Sequence, residues 1–226
     1  MREIVWALVG WLLGIGAARR ARNDIASAHL RQTAYFYGAL NQSPAFVPAV
    51  AFINGAVAYG IADGLDGEVA TFAFIVFATA LVQLMFVDID THLLPKRTSR
   101  GASVLGLVLL GFASLVQWDP ARWWWGILGS FLMWFVLRIL KALSRGELGG
   151  GDVTLGILIG LHLGWLAIGN VLIALLVSFL IGGVAGLVTL AVRRNKRHFM
   201  AFGPSLVAGA LLTVVFEEQL RGWILG

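Results

Sequence analysis

Two short stretches place acids where acids are costly. In Glu147-Leu148-Gly149-Gly150-Gly151-Asp152-Val153-Thr154-Leu155, three glycines run into an aspartate and the aspartate runs into a long apolar segment. In Val87-Asp88-Ile89-Asp90, an apolar run closes on acids and leads on to Leu93-Leu94-Pro95. A carboxylate at the mouth of a membrane helix is expensive unless paired or wetted, which makes Asp88 and Asp152 functional candidates. Gly149 and Gly151 carry no side chain, so another backbone can come close to Asp152. If the two stretches meet, their chemistry is defined. Carboxylates a few Å apart cannot both ionise cheaply, and they share a proton. The ionised member takes a proton from water while the protonated member donates to a peptide carbonyl oxygen. The peptide is then hydrolysed without a metal or a covalent intermediate.

Composition sets the surroundings of these acids. The chain has 226 residues, 59% hydrophobic and 13% charged, with a mean hydropathy of +0.85. Soluble domains are about 45–50% apolar and about 25% charged. The expected class is therefore all-α, a polytopic membrane bundle of about eight transmembrane helices in a single domain over residues 1–226. The apolar runs place spans near 4–18, 46–61, 69–87, 102–117, 123–140, 153–168, 171–192 and 200–216. The first is read as a retained span, since nothing after it resembles a cleavage site. Residues 19–44 form the longest polar connection, expected as a short cytoplasmic loop with an Ala-rich middle. Trp123, Trp124 and Trp125 mark an interfacial belt. There is no cysteine, so no disulfide frame and no Cys-based zinc site.

Charge gives the orientation. Numbering the loops alternately puts fourteen of the 17 Lys and Arg residues on one side; only Arg2, Arg122 and Arg221 fall on the other. The basic side is cytoplasmic, which leaves both termini outside. The net charge of +5 is loop charge and lipid contact, not a nucleic-acid surface. Asp88 ends the third span and Asp152 opens the sixth, so both lie at the inner boundary. Asp90 and Glu147 have basic neighbours and read equally well as charge balance. His92 is expected to be a solvated loop residue, and His162 to make a helix–helix hydrogen bond. Asn54 and Gln83 are expected to bond across helices. Gly182, Gly183, Gly186, Gly203 and Gly209 are expected to allow close packing.

With these residues in place, the chain resembles the type IV prepilin peptidases, membrane aspartic peptidases of the GxGD group. The first signature of that family is an Asp, five spacers ending in Leu, then Leu-Pro, matched by Asp88 through Asp90 and Leu93 to Leu94-Pro95. The second is Gly-x-Gly-Asp-x-Lys-Leu, matched by Gly149 to Leu155 with Thr154 in place of Lys. The third is Phe202-Gly203-Pro204 at the start of the last span. The resemblance implies that Asp88 and Asp152 are the catalytic pair, supported by Gly149, Gly151, Asp90, Pro95, Phe202, Gly203 and Pro204. It implies removal of the short basic leader of prepilin-like substrates at the cytoplasmic face of a prokaryotic inner membrane, with no cofactor for peptide cleavage. S-adenosylmethionine enters only if the N-methylation of many relatives is retained. Residues 19–44 stand in place of the family's cysteine-rich insert, and Lys96 stands where an acid often comes after Leu-Pro. The alternative, a proton-coupled transporter or channel, requires acids along a path near the midplane.

Overall fold

In the computed structural model, residues 1–30, 42–65, 68–144, 148–193, 202–217 and 219 are described. They form eight helices in this order: α1 Arg2–Leu30, α2 Phe46–Gly64, α3 Glu68–Thr91, α4 Lys96–Val116, α5 Pro120–Leu143, α6 Gly150–Leu166, α7 Ile168–Arg193 and α8 Gly203–Val215. There is no strand among the described residues. Six helices are long and apolar enough to cross a membrane; α6 and α8 are apolar but shorter. The chain is a multi-pass helical membrane protein.

α3 and α6 form the centre. α3 is the most buried of the six long helices, and 12 of the 17 residues of α6 are buried. Phe74, Phe77, Leu81 and Leu84 of α3 share one core with Leu155, Leu158 and Ile159 of α6. His162 of α6 joins them differently from expectation. Its Nδ1 lies 3.0 Å from the Leu158 carbonyl of its own helix, and its ring stacks on Phe77 at 4.0 Å. The aromatic face, not a cross-helix hydrogen bond, ties it to α3.

Close helix packing falls mostly on glycines other than those singled out. On α6, a Cβ at Gly160 would lie 2.7 Å from the Gly129 carbonyl carbon, and one at Gly164 would lie 2.9 Å from Gly129 Cα. α5 and α6 thus touch backbone to backbone. Gly14 of α1 meets Ala51 of α2 in the same way. Gly209 does pack tightly, against Ser178 of α7, whereas Gly183 and Gly186 face open space. Asn54 donates to the Gly10 carbonyl at 2.6 Å and to Thr79 Oγ1 at 2.8 Å, joining α1, α2 and α3. Gln83 donates to Asp24 at 3.2 Å, as the cross-helix reading expects.

The first helix is longer than expected. α1 continues through Arg19, Arg20 and Arg22 to Leu30, so the first part of the expected loop at 19–44 is helix. The segment has no Gly or Pro after Gly16, and its alanines favour helix. Ala18, Ala21 and Ile25 repeat at helical spacing and bury against Phe46, Val50, Val82 and Val87. Arg22 donates to the Ser43 carbonyl at 2.8 Å and lies over the Phe46 ring. Residues 31–41 of that loop and Glu147 lie outside the described residues.

Candidate active site

α3 stops just beyond Asp88, and the turn after it steers the chain into the site. The His92 N–H donates to the Asp88 carbonyl at 2.8 Å, and His92 takes a left-handed φ of 51°. Thr91 closes the turn, its hydroxyl donating to the Val87 carbonyl at 2.7 Å. Pro95 is extended and caps α4. It lacks an N–H, which a helix N-terminus leaves unused in any case. The link between α3 and α4 is therefore short, and it aims Leu94 inward.

α6 starts on the glycine run. Gly149 is extended, and Gly150 and Gly151 form the first turn. Asp152 reaches back to accept the Gly149 N–H at 3.0 Å. This is the return half of a capping box, the other half being missing because Gly149 has no side chain. α8 starts on the third stretch. Phe202 packs on Phe179 of α7 at 5.4 Å, and Pro204 lies in the first turn.

These three helix ends converge. Asp88 is 4% exposed and Asp152 6% exposed, and the charge of Asp152 acts directly on Asp88. Gly203 lies against Asp88: a Cβ there would collide with Oδ2 and lie 3.1 Å from Cγ. The Gly203 N–H faces the Asp88 carboxyl. Asp88 Oδ2 nevertheless has no hydrogen bond of ordinary geometry. Gly151 lies against Leu94, where a Cβ would be 3.1 Å from the Leu94 carbonyl oxygen. The Leu94 side chain also reaches to 3.1 Å from the Cβ position of Gly203. Leu94 thus wedges between the starts of α6 and α8. The glycines at 151 and 203 have one job in common, admitting a neighbour where any side chain would block it.

The predicted residues are not all at one point. Asp88, Asp152, Gly149, Gly151 and Gly203 form the centre, with Pro95, Phe202 and Pro204 shaping the helix starts around it. Asp90 is buried at 1% exposure. It lies two residues, or roughly 200°, around α3 from Asp88, so it leaves the shared face. It is not a free carboxylate. His92 is exposed, as expected for a loop residue. Sequence reasoning missed Leu94 as a site residue; a leucine beside another leucine and a proline carries no chemical signal. It also missed Lys141, whose charge acts on Asp152 from the last turn of α5.

A family model described as the type IV leader peptidase family matches residues 75–187, half of the chain. The prepilin leader peptidase/N-methyltransferase of Bacillus subtilis (strain 168) is 30% identical over 164 residues, 72% of this chain and 62% of that protein. The protein of the same name from Legionella pneumophila is 28% identical over 149 residues, 65% of this chain and 50% of that protein. That from Burkholderia pseudomallei (strain 1026b) is 31% identical over 176 residues, 75% and 54% respectively. The chain thus spans about half to three-fifths of the length of these relatives. No solved structure gives a significant match.

Proposed function

The chain belongs to the type IV leader peptidase family, and from that premise we propose that it is a membrane aspartic endopeptidase for prepilin-like substrates. The observation that carries the reading is the meeting of Asp88 and Asp152, remote in sequence, at the facing ends of α3 and α6. Nearly dry carboxyls in contact with each other's field hold one proton between them. The ionised carboxylate removes a proton from water as the water oxygen bonds to the scissile carbonyl carbon. The carboxylic acid gives its proton to the carbonyl oxygen. Collapse of the resulting diol breaks the C–N bond, and the departing nitrogen takes a proton from the site.

Asp88 and Asp152 are the catalytic residues in this reading. Gly151 and Gly203 set their approach, and Gly149, Pro95, Phe202 and Pro204 shape the helix starts that hold it. The substrate is the short basic leader of a type IV prepilin-like protein, cut at the cytoplasmic face of a prokaryotic inner membrane. The basic side of the charge count supports that orientation. The transport alternative needs acids strung across the bundle; the paired acids lie together at helix ends.

The relatives' names also include N-methyltransferase. A methyl donor such as S-adenosylmethionine needs an acceptor for its ribose hydroxyls and a partner for its ammonium. The groove between α1 and α2 is lined by Ile4, Ala7, Leu8, Trp11, Phe52, Gly55, Ala56 and Tyr59. That groove offers no carboxylate and does not fit such a donor.

The test is cleavage of a prepilin-like substrate by purified protein in lipid. Asp88→Asn and Asp152→Asn are each expected to lower kcat/KM by roughly 10²–10⁴-fold while the thermal melt stays intact. Wild-type cleavage by either variant would overturn the assignment.

A further inference from the structure

The two swaps that set this chain apart from the family motifs converge in space. Thr154 stands where the motif has a lysine two residues after its aspartate, and Lys96 stands where an acid often comes after Leu-Pro. Over Gly150, at the mouth of α6, two ammonium groups meet. A Cβ at Gly150 would lie 3.1 Å from Lys141 Nζ and 3.3 Å from Lys96 Nζ. Lys96 is the first residue of α4, and Lys141 sits in the last turn of α5. Helical side chains lean toward the N-terminus. A lysine at 154, one turn beyond Gly150, would therefore send its ammonium to this same place. Thr154 instead folds its hydroxyl onto the Gly150 carbonyl at 2.9 Å, and the lysines of the neighbouring helices occupy the space.

We infer that Lys141, assisted by Lys96, is a positioning residue that keeps Asp152 ionised, supplying from α5 the cation that the family motif carries at 154 and making Asp152 the general base and Asp88 the general acid. The inference rests on the peptidase reading above. Burial acts alike on the two acids, but most of their other surroundings differ in one sense. Asp152 lies in the first turn of α6, at the positive end of the helix dipole, and accepts the Gly149 N–H. Asp88 lies in the last turn of α3, at the negative end, with Oδ2 unbonded. Among the described residues, the charged groups acting on the pair are Asp88 from α3 and Asp152 from α6 themselves and Lys141 from α5, with Lys96 of α4 beside Lys141 over Gly150. α8 opposes this by presenting the Gly203 N–H at its own positive end to Asp88, against which stands the charge of Asp152. Lys141 is half-buried and Lys96 exposed, so solvent screens Lys96 more and Lys141 dominates.

In this order, Asp152 takes the proton of the attacking water as its oxygen bonds to carbon, and Asp88 protonates the carbonyl oxygen. Asp152 then passes its proton to the departing nitrogen as the C–N bond breaks. The remaining hydroxyl proton returns to Asp88, which restores both groups.

A hydrophobic carbodiimide modifies protonated carboxyls and spares carboxylates, and mass spectrometry reads the two sites separately in the full chain in lipid near neutral pH. In the wild type, label is expected on Asp88 and not on Asp152. Lys141→Met is expected to raise Asp152 labelling on the order of tenfold, the change that one pKa unit represents. Lys141→Arg should leave it low, and adding Thr154→Lys to Lys141→Met should return it to the wild-type level. A merely structural role for Lys141 would not be rescued from position 154. Equal labelling of both acids in the wild type, or no change in Lys141→Met, overturns the inference. Cleavage measured beside it separates the two ideas. If the wild type cleaves but labelling does not respond to Lys141, the lysine assignment fails alone. If labelling shows the expected pattern while the wild type cleaves no prepilin-like substrate, the peptidase reading fails and the assignment stands.

Discussion

At the scale of single residues, position 203 is the sharpest case of a side chain that has to be absent. Asp88 Oδ2 occupies the space a Cβ would take, and Leu94 closes the other side. Alanine there must push either the acid or the leucine. Both moves open the site at the pair itself, where a misplacement of about 1 Å can cost roughly 10²-fold in rate. Gly203→Ala is therefore expected to lower kcat by roughly 10–100-fold with little change in melting temperature, read from cleavage kinetics and a thermal melt on one preparation. Normal kcat would show that the contact relaxes without moving Asp88. The acids themselves were legible in the sequence because a carboxylate fused to an apolar run has few structural uses. Leu94 and Lys141 were not legible. Each is an ordinary residue for its surroundings, and its role arises only from which helix ends meet.

At the scale of elements, the site depends on α6 being held at a fixed depth against α5. Gly156, Gly160 and Gly164 recur every four residues and form a side-chain-free ridge along α6. Gly160 and Gly164 meet the backbone of α5 at Gly129, and Gly156 receives Leu137. Small residues at such spacing let membrane helices approach to backbone contact. A large side chain at the centre of that ridge has nowhere to go. Gly160→Leu is expected to destabilise the bundle by about 1–3 kcal/mol, as overpacking does, and to lower the melting temperature in detergent. An unchanged melt would mean that α5 and α6 separate without loss. The existence of eight helices could be read from apolar runs and alternating loop charge. The packing glycines could not be chosen with the same ease, because composition alone does not say which face of a helix turns inward. Gly183 and Gly186 resemble a packing motif yet face outward, while the regular spacing in α6 was the better signal. The extension of α1 was missed for a related reason: arginines suggest a loop, but Ala18, Ala21 and Ile25 bury one face and carry the helix past them.

At the scale of the whole molecule, helix length and the aromatic belt fix the depth of the chemistry. The Arg122 guanidinium lies 5.1 Å from the Trp165 ring centre, which puts the end of α6 level with the belt at Trp123 to Trp125. From Trp165 back to Asp152 the helix rises about 20 Å, whereas the hydrocarbon layer is roughly 30 Å thick. Asp152 and its partner therefore sit inside the opposite boundary rather than above it, and water must enter from that side. In the orientation proposed above, that side is cytoplasmic. The chain has no cysteine, so single introduced cysteines report orientation without background. Arg100→Cys, on an exposed turn of α4 next to the site, is expected to react with a membrane-impermeant maleimide only after the cells are opened. Trp118→Cys, at 91% exposure in the turn between α4 and α5, is expected to react in intact cells. The reverse pattern would put the paired acids at the outer face. A basic leader held inside the cell would then never reach them, and the proposed substrate would fall even with the dyad intact.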